Sequence, residues 1–252
     1  GARVEKHREM KPRIFPAPAD LFQAAADEFS RRAAAAIQER GRFCVALSGG
    51  STPKSLFSLL ASGQFPSFPW DKTFLFWGDE RYVPIDSPES NFRMTNEALL
   101  SKVPVPSKNV FRIKTEISPA DRAAADYEQA LRTFFSLKAA EVPRFDLTLN
   151  GVGPEGHTAS LFPDSPVLEE KARLVVAAWI EKFNMFRITL TLPVFDHAAC
   201  VLFLALGKEK TAILREVFET PGAQLPAQRI KPTRGELLWF VDRAAAGSLK
   251  AT

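Results

Sequence analysis

The sequence predicts an α/β protein with a doubly wound, mostly parallel sheet, helices on both faces and a ligand site at the carboxyl edge of the strands. Three observations support this class. Short apolar runs alternate with helical segments along the chain of 252 residues. The runs are apolar throughout, as in parallel strands that are buried on both faces. Polar segments follow four of these runs, and ligands of open parallel sheets bind at this position.

The first third of the chain predicts two strands and two helices. Asp20 stands where a helix N-cap would, before LFQAAADEFSRRAAAAIQER, and Gly41 stands at the C′ position. FCVAL (43–47) is a predicted buried strand that ends in SGGSTP, and a second helix is expected to begin at Pro53, a favoured first-turn residue. TFLFW (73–77) is the next predicted strand.

The remaining elements continue the alternation. Helices are predicted near 91–102, over about 119–140 after VFRI (110–113), through KEKTAILREVF and at the end of the chain. Strands are predicted at FDLTLNG (145–151), VVAAW (175–179), RITLTL (187–192), VLFLAL (201–206) and LLWFV (237–241). Because no Pro/Gly/Ser-rich linker or internal repeat divides the chain, we expect one domain over 1–252. Its first residues, 1–13, are expected to be a flexible or vector-derived N-terminus.

Composition limits the classes of partner. Hydrophobic residues make up 46% of the chain and charged residues 25%, which is typical of soluble globular proteins. No apolar run approaches the ~20 residues that span a bilayer, and the N-terminus has no apolar secretory signal, so we expect no membrane and a cytoplasmic location. The 33 basic residues are scattered against 29 acidic ones, which argues against nucleic acid and suits a small anionic substrate.

Cysteine and histidine are too sparse for a zinc site. Cys44 and Cys200 lie inside apolar runs, and only three histidines are present. We therefore expect no cofactor and no metal site, although a carboxylate-bound ion stays open.

The segment SGGSTP lies between a predicted strand and a predicted helix. Its backbone N–H groups, together with the positive end of the helix, suit a phosphate. It is neither GxxxxGK[ST] nor GxGxxG, so it predicts neither a P-loop nor a dinucleotide fold. The candidate phosphate-binding residues are Ser48, Gly49, Gly50, Ser51 and Thr52.

The segments GDERYVP and GVGPEGHTASLFP contribute further candidates. Asp79 is suited to accept hydrogen bonds from sugar hydroxyls, and Arg81 to bind an anion with its forked guanidinium. His157 lies between a glycine and a threonine and is the best candidate for a general base, with Glu155 as the carboxylate that orients it.

Two further cations stand near predicted strand ends. Arg187 opens RITLTL, and Lys210 lies in GKEK at the start of a helix. Both are placed to neutralise a phosphate held at SGGSTP.

With these segments in view, the chain resembles the 6-phosphogluconolactonase family, which is related in fold to glucosamine-6-phosphate deaminase. The matching segments are ALSGGSTP, FWGDERYVP with SNFRMTNEALL, DLTLNGVGPEGHTASLFP, RITLTLPV and ALGKEKTAIL. They follow the family's order over residues 46 to about 214. The most specific is GPEGHTASLFP, whose TASLFP part the deaminases usually lack.

The resemblance implies hydrolysis of 6-phospho-D-glucono-1,5-lactone in the oxidative pentose phosphate pathway. It implies that His157 activates water, that Ser48–Thr52 binds the phosphate and that Arg187 and Lys210 are its charge partners. The chain departs from the family in two places. Glu155 stands where Asp is usual, and EKFNMFR replaces a proline-rich run that precedes the family's arginine; in this segment Lys182 is the candidate for replacing a family lysine. Two alternatives stay open: an aminosugar-phosphate deaminase/isomerase and a non-catalytic sugar-phosphate sensor.

Overall fold

Nine strands form two sheets in the computed structural model, which describes residues 10–251. The larger sheet contains six strands in the order β1-β9-β8-β5-β2-β3, and every neighbouring pair is parallel. Its strands are β1 (Arg13–Phe15), β2 (Phe43–Leu47), β3 (Thr73–Trp77), β5 (Leu147–Asn150), β8 (Cys200–Ala205) and β9 (Glu236–Asp242). Every residue of β2 and β8 is buried, because helices cover both faces of the sheet. The predicted fold class is confirmed.

The strand order fixes where a ligand can bind. The chain passes from β2 to its neighbour β3 and then returns across β2 to β5, so the direction of winding reverses between β2 and β5. Such a switch point leaves a crevice at the carboxyl ends of the two strands. The segments that follow Leu47 and Asn150 therefore face each other across this crevice.

A second, antiparallel sheet adjoins this edge, in the order β4-β7-β6. It contains β4 (Asp79–Arg81), β6 (Val175–Ile180) and β7 (Met185–Leu190). Gly78 joins the two sheets, because its N–H donates to Leu47 O and its carbonyl accepts the N–H of Leu190, both at 2.9 Å. The sequence predicted the strands at β6 and β7 but not their separate sheet, and it treated β4 as a loop.

The helix positions agree with the prediction, and several boundaries differ. Asp20 lies inside the first helix, where its carboxylate accepts the N–H of Ala17, so the predicted N-cap at Asp20 is wrong. The second helix begins at Ser51 rather than Pro53, and the predicted helix over 119–140 is shorter. The helices are α1 (Pro18–Arg40), α2 (Ser51–Leu60), α3 (Asn91–Ala98), α4 (Ala120–Phe134), α5 (Leu192–Asp196), α6 (Thr211–Glu219), α7 (Pro226–Arg229) and α8 (Arg243–Ala246).

Only part of the predicted flexible N-terminus can be compared with the structure. Residues 1–9 of the predicted flexible segment, 1–13, lie outside the described residues. Arg13 pairs with Phe240 in β1, so for this residue the expectation of flexibility is wrong. A strand of three residues has no detectable periodicity, and its pairing with β9 is visible only in the folded chain. Among residues 10–251, no helix has both the length and the apolar character needed to cross a bilayer.

Candidate active site

A cleft of about 650 Å³ opens at the carboxyl edge of the parallel sheet. The segments that follow β2, β3, β5 and β8 all reach it, and α1, α3, β7 and the last residue of β9 complete the lining. Ten of the predicted site residues line this cleft: Ser48, Gly49, Gly50, Ser51, Thr52, Asp79, Arg81, His157, Arg187 and Lys210. Glu155 is not part of the lining and contacts the cleft through His157.

The glycine-containing loop presents the N-terminus of a helix to the cleft. Gly50 is the N-cap residue of α2, and no side chain of residues 10–251 caps this helix. The first N–H groups of a helix have no partner within it and carry partial positive charge. Ser48 Oγ is also buried, and it has no hydrogen-bond partner in the part of the chain that the structure describes. The loop therefore offers several donors to an anion.

Two arginines stand side by side in the antiparallel sheet. Arg81 of β4 lies directly opposite Arg187 of β7, an arrangement that is unfavourable because like charges repel. Arg81 Nη1 donates to Glu89 O at 3.0 Å. The guanidinium of Arg187 forms no ion pair or hydrogen bond within residues 10–251, although the residue is only 6% exposed. An anion in the cleft would compensate both charges.

Aromatic rings hold Arg187 in place. Its guanidinium carbon lies 4.5 Å from the ring centre of Phe183 and 5.5 Å from that of Phe162. Burial lowers the pKa of Arg187, and the neighbouring charge of Arg81 lowers it further. An arginine remains protonated despite such a shift, so the cleft wall carries a fixed positive charge.

Lys210 lines the cleft from the segment between β8 and α6. Its Nζ donates to Val152 O at 2.6 Å, which connects the segment after β8 to the segment after β5. Asp242, at the end of β9, accepts the N–H of Gly207 at 3.0 Å and caps α8 by accepting the N–H of Ala245. The contact between Asp242 and Gly207 joins residues 35 positions apart in the chain, so it is visible only in the folded structure.

His157 and Glu155 form the predicted pair. The distance from His157 Nδ1 to Glu155 Oε1 is 2.8 Å, and Lys182 Nζ lies 3.9 Å from the same oxygen. A carboxylate at Nδ1 selects the tautomer with the proton on that nitrogen, so that Nε2 carries the lone pair. No hydrogen bond occupies Nε2 within the described part of the chain. The imidazole therefore has one nitrogen anchored and one free to act as a base.

Packing fixes the orientation of the imidazole ring. Phe162 stacks on His157 with ring centres 4.2 Å apart and planes 15° apart. On another side, a Cβ at Gly153 would lie 2.0 Å from His157 Nδ1, so only glycine allows this approach. Phe162 and Gly153 belong to the predicted motif, but the sequence did not show that they enclose the histidine.

Burial sets the protonation of the pair. Burial lowers the pKa of His157, although Glu155 and Asp79 oppose this effect. The net shift of the His157 pKa is downward, because loss of solvent outweighs the two carboxylates. Burial alone would raise the pKa of Glu155, but hydrogen bonds and the charges of His157 and Lys182 outweigh it and lower the pKa. The resting pair is thus a neutral imidazole beside a carboxylate.

Asp79 is buried rather than solvated in a loop. Its Oδ2 accepts the hydroxyl of Ser160 at 2.6 Å. Asn150 Nδ2 donates to Thr158 Oγ1 at 3.1 Å, so the residues around His157 are attached to both sheets. Thr158 and Ser160 therefore attach the motif to both sheets. The sequence assigned no role to Asn150, and it did not indicate the contact between Ser160 and Asp79 because the two residues are 81 positions apart in the chain.

Glu80 was also missed. Its carboxylate accepts the N–H groups of Arg81, Asn91 and Phe92, which joins β4 to the start of α3. Burial raises the pKa of Glu80 to about 7 against the opposing effect of these three donors. The charged triplet after β3 thus consists of two buried carboxylates and a cleft arginine.

Potential metal ligands converge at one place in residues 10–251, away from the cleft. Glu28, Cys200 and Glu236 approach one another near the amino ends of β8 and β9. Arg31 and Arg32 form ion pairs with Glu28, and Arg32 also pairs with Glu236, so guanidinium groups already neutralise these carboxylates. Both predicted buried thiols are confirmed, and burial raises the pKa of Cys44 and of Cys200 to about 12.

The fold and the cleft define an open α/β protein with two adjacent arginines, the start of a helix and a histidine–carboxylate pair at its switch point. The chain belongs to the family described as Glucosamine-6-phosphate isomerases/6-phosphogluconolactonase, whose profile matches residues 16–239. It is 42% identical over 232 residues to a 6-phosphogluconolactonase of Synechocystis sp., covering 91% of this chain and 94% of the relative. A human 6-phosphogluconolactonase is 39% identical over 241 residues, with coverage of 92% and 91%.

A solved structure agrees with these relatives. The 6-phosphogluconolactonase from Trypanosoma cruzi superimposes with a TM-score of 0.85 at 31% identity, covering 97% of this chain and 100% of that one. The predicted resemblance is therefore confirmed.

Proposed function

We propose that this protein hydrolyses 6-phospho-D-glucono-1,5-lactone to 6-phosphogluconate in the oxidative pentose phosphate pathway. The observation that carries the proposal is the buried, unpaired guanidinium of Arg187 in the same cleft as the free Nε2 of His157. A phosphorylated lactone needs both an anion site and a base. The named relatives support the same activity. We further propose that 1–252 acts as one lactonase domain in the cytoplasm.

The phosphate is placed at the glycine loop in this proposal. The N-terminus of α2 supplies backbone donors, and Arg187 and Lys210, which belong to different elements of the cleft lining, supply charge. Binding a phosphate that does not react fixes the position of the carbonyl that does. Asp79 is proposed as an acceptor for sugar hydroxyls.

His157 acts as the general base on water. Its Nε2 removes a proton as the water oxygen attacks C1 of the lactone, and Glu155 stabilises the imidazolium that forms. Collapse of the tetrahedral intermediate breaks the bond from C1 to the ring oxygen, which takes the proton from Nε2. Arg81 is proposed to stabilise the charge that develops on the carbonyl oxygen. No metal or organic cofactor takes part in this scheme.

A single set of assays tests the proposal. Freshly generated 6-phosphogluconolactone, unphosphorylated gluconolactone and glucosamine 6-phosphate are each incubated with the protein, and spontaneous hydrolysis is subtracted. We expect rapid turnover of the first compound, slow turnover of the second and none of the third. Release of ammonia from glucosamine 6-phosphate would instead identify a deaminase, and binding without turnover would identify a sensor.

A further inference from the structure

We infer that Asn91 determines specificity by accepting a hydrogen bond from a hydroxyl of the sugar, an inference that rests on the proposed function. Asn91 is the first residue of α3 and lines the cleft. Its residue exposure is only 3%. The sequence motifs assigned no role to it.

The orientation of the Asn91 amide follows from its neighbours. Nδ2 donates to Asp79 O at 3.1 Å, and the backbone N–H donates to Glu80 Oε1 at 2.8 Å. The backbone carbonyl accepts the hydroxyl of Thr95 at 2.9 Å. Because a backbone carbonyl can only accept, the nitrogen must face Asp79, and Oδ1 must point the other way.

Oδ1 lies against the phosphate-binding loop. A Cβ at Gly49 would be 1.9 Å from this oxygen and 2.4 Å from Asn91 Cγ, so the amide occupies the space beside the loop that glycine leaves free. No donor of the described residues reaches Oδ1. Within residues 10–251 this oxygen therefore has no donor, and its residue lines the substrate cleft, so a donor of the ligand is the group that would satisfy it.

The ligand group that fits Oδ1 is a hydroxyl. Phosphate oxygens of a dianion are acceptors, so the amide oxygen would repel them. The lactone proposed as substrate carries hydroxyls at C2, C3 and C4, each of which is a donor. A site that pairs with a substrate hydroxyl discriminates strongly against the analogue that lacks it.

A carboxylate would serve this position less well than an amide. Aspartate would lose the donor to Asp79 O and would place an oxygen against that carbonyl. It would also add negative charge next to the loop that is proposed to bind phosphate. The amide supplies one donor to the protein and one acceptor to the cleft without a charge.

The test compares the parent lactone with its 2-deoxy, 3-deoxy and 4-deoxy analogues, all phosphorylated at C6. In the wild-type protein, kcat/KM should fall at least tenfold for one analogue. In Asn91→Ala, the parent should lose a similar factor, and the ratio between the parent and that analogue should shrink to within about twofold, because the acceptor is gone. The ratios for the other two analogues should be the same in both proteins.

Asn109 offers a matched control. It is also a buried asparagine whose Nδ2 donates to a backbone carbonyl, that of Asp71, at 3.1 Å, but it lies outside the cleft. Asn109→Ala should keep all three wild-type ratios. Asn91→Asp keeps an oxygen at the site, so it should retain the preference for the hydroxyl while raising KM for every phosphorylated substrate.

Two results would overturn the inference while leaving lactonase activity intact. One is a wild-type protein that turns over all three deoxy analogues as well as the parent, which needs no variant to fold. The other is an Asn91→Ala protein with unchanged ratios. A wild-type protein that fails to hydrolyse the parent lactone above background would overturn the proposed function as well.

Discussion

The parallel sheet and the antiparallel sheet contribute different chemical groups to the cleft. The parallel sheet supplies loops at its carboxyl edge: the uncapped start of α2, the His157 segment and Lys210. The antiparallel sheet supplies two guanidinium groups on neighbouring strands. The loops occur where open α/β sheets generally bind ligands. The arginine pair places two like charges side by side, which is unfavourable, so it is the feature that a structural role explains least.

The largest expected effect concerns the histidine of the parallel sheet. His157→Ala should lower kcat by roughly 10²–10⁴-fold, the usual contribution of a general base, with little change in substrate affinity. The rate is measured above a control without enzyme, because the lactone hydrolyses unaided. His197→Ala, a substitution outside the cleft, is the control and should be neutral. Near-normal kcat in His157→Ala would remove this residue from the mechanism.

The next prediction compares one cation from each sheet. Arg187→Ala and Lys210→Ala should each weaken 6-phosphogluconate binding about ten- to a hundredfold, since a charge-assisted contact contributes about 1.5–3 kcal/mol. Calorimetric titration with this stable product measures the effect. Unphosphorylated gluconolactone should be almost indifferent to both changes.

Two neighbouring cations serve as controls. Lys208 and Arg173 do not line the cleft, so Lys208→Ala and Arg173→Ala should bind like the wild type. If Arg187→Ala and Lys210→Ala impaired both lactones equally, the phosphate assignment would be wrong.

The third prediction concerns the pH dependence of the histidine–carboxylate pair. The rate should rise with pH as His157 loses its proton. The rising limb of the pH–rate profile should lie below pH 6.5, because burial lowers the pKa of His157. Glu155 opposes that shift, so in Glu155→Gln the limb should move to still lower pH, and kcat should fall more than tenfold because the imidazolium loses its counter-charge.

Glu155→Asp separates charge from side-chain length. This variant should stay within about tenfold of the wild type, or ~1.4 kcal/mol of the barrier. An unmoved limb and normal activity in Glu155→Gln would transfer the role to another carboxylate, with Asp79 the first to test.

A smaller effect is expected from substitution of Arg187 on the free energy of unfolding in the absence of ligand. Arg187→Met removes a buried cation that repels Arg81 and keeps most of the side-chain volume. The free energy of unfolding should therefore rise by about 1 kcal/mol, since buried charges without partners are destabilising. Urea unfolding with and without 6-phosphogluconate measures it. A loss of stability in the absence of ligand would indicate that the arginine pair is structural.

The smallest expected effect is that of metal removal. Neither sheet brings three metal-ligating atoms together at the cleft in residues 10–251. Activity should be unchanged after exhaustive EDTA treatment, measured beside an untreated sample. Loss of activity that Zn²⁺ or Mg²⁺ restores would require a different mechanism.

The local sequence determined the buried strands, the glycine loop and the pairing of Glu155 with His157, because each depends on residues that are close together in the chain. Continuous apolar runs such as FCVAL indicate strands buried on both faces, and SGGSTP indicates a strand-to-helix turn that exposes backbone donors. Glu155 and His157 are two residues apart, so their pairing could be predicted without knowledge of the fold. The carboxyl-edge site followed from the order of strands and polar segments.

Tertiary structure decided what depends on contacts between distant residues. The opposition of Arg81 and Arg187 arises from strand pairing over more than a hundred residues, and β4 is too short to show any periodicity. Adjacent charged residues such as those in GDER are usually exposed to solvent. Asp79 and Glu80 are nevertheless buried, because Ser160 and the N-terminus of α3 donate hydrogen bonds to their carboxylate oxygens. The downward pKa shift of His157 likewise depends on burial, which results from the packing of distant segments and cannot be inferred from the neighbouring residues in the chain.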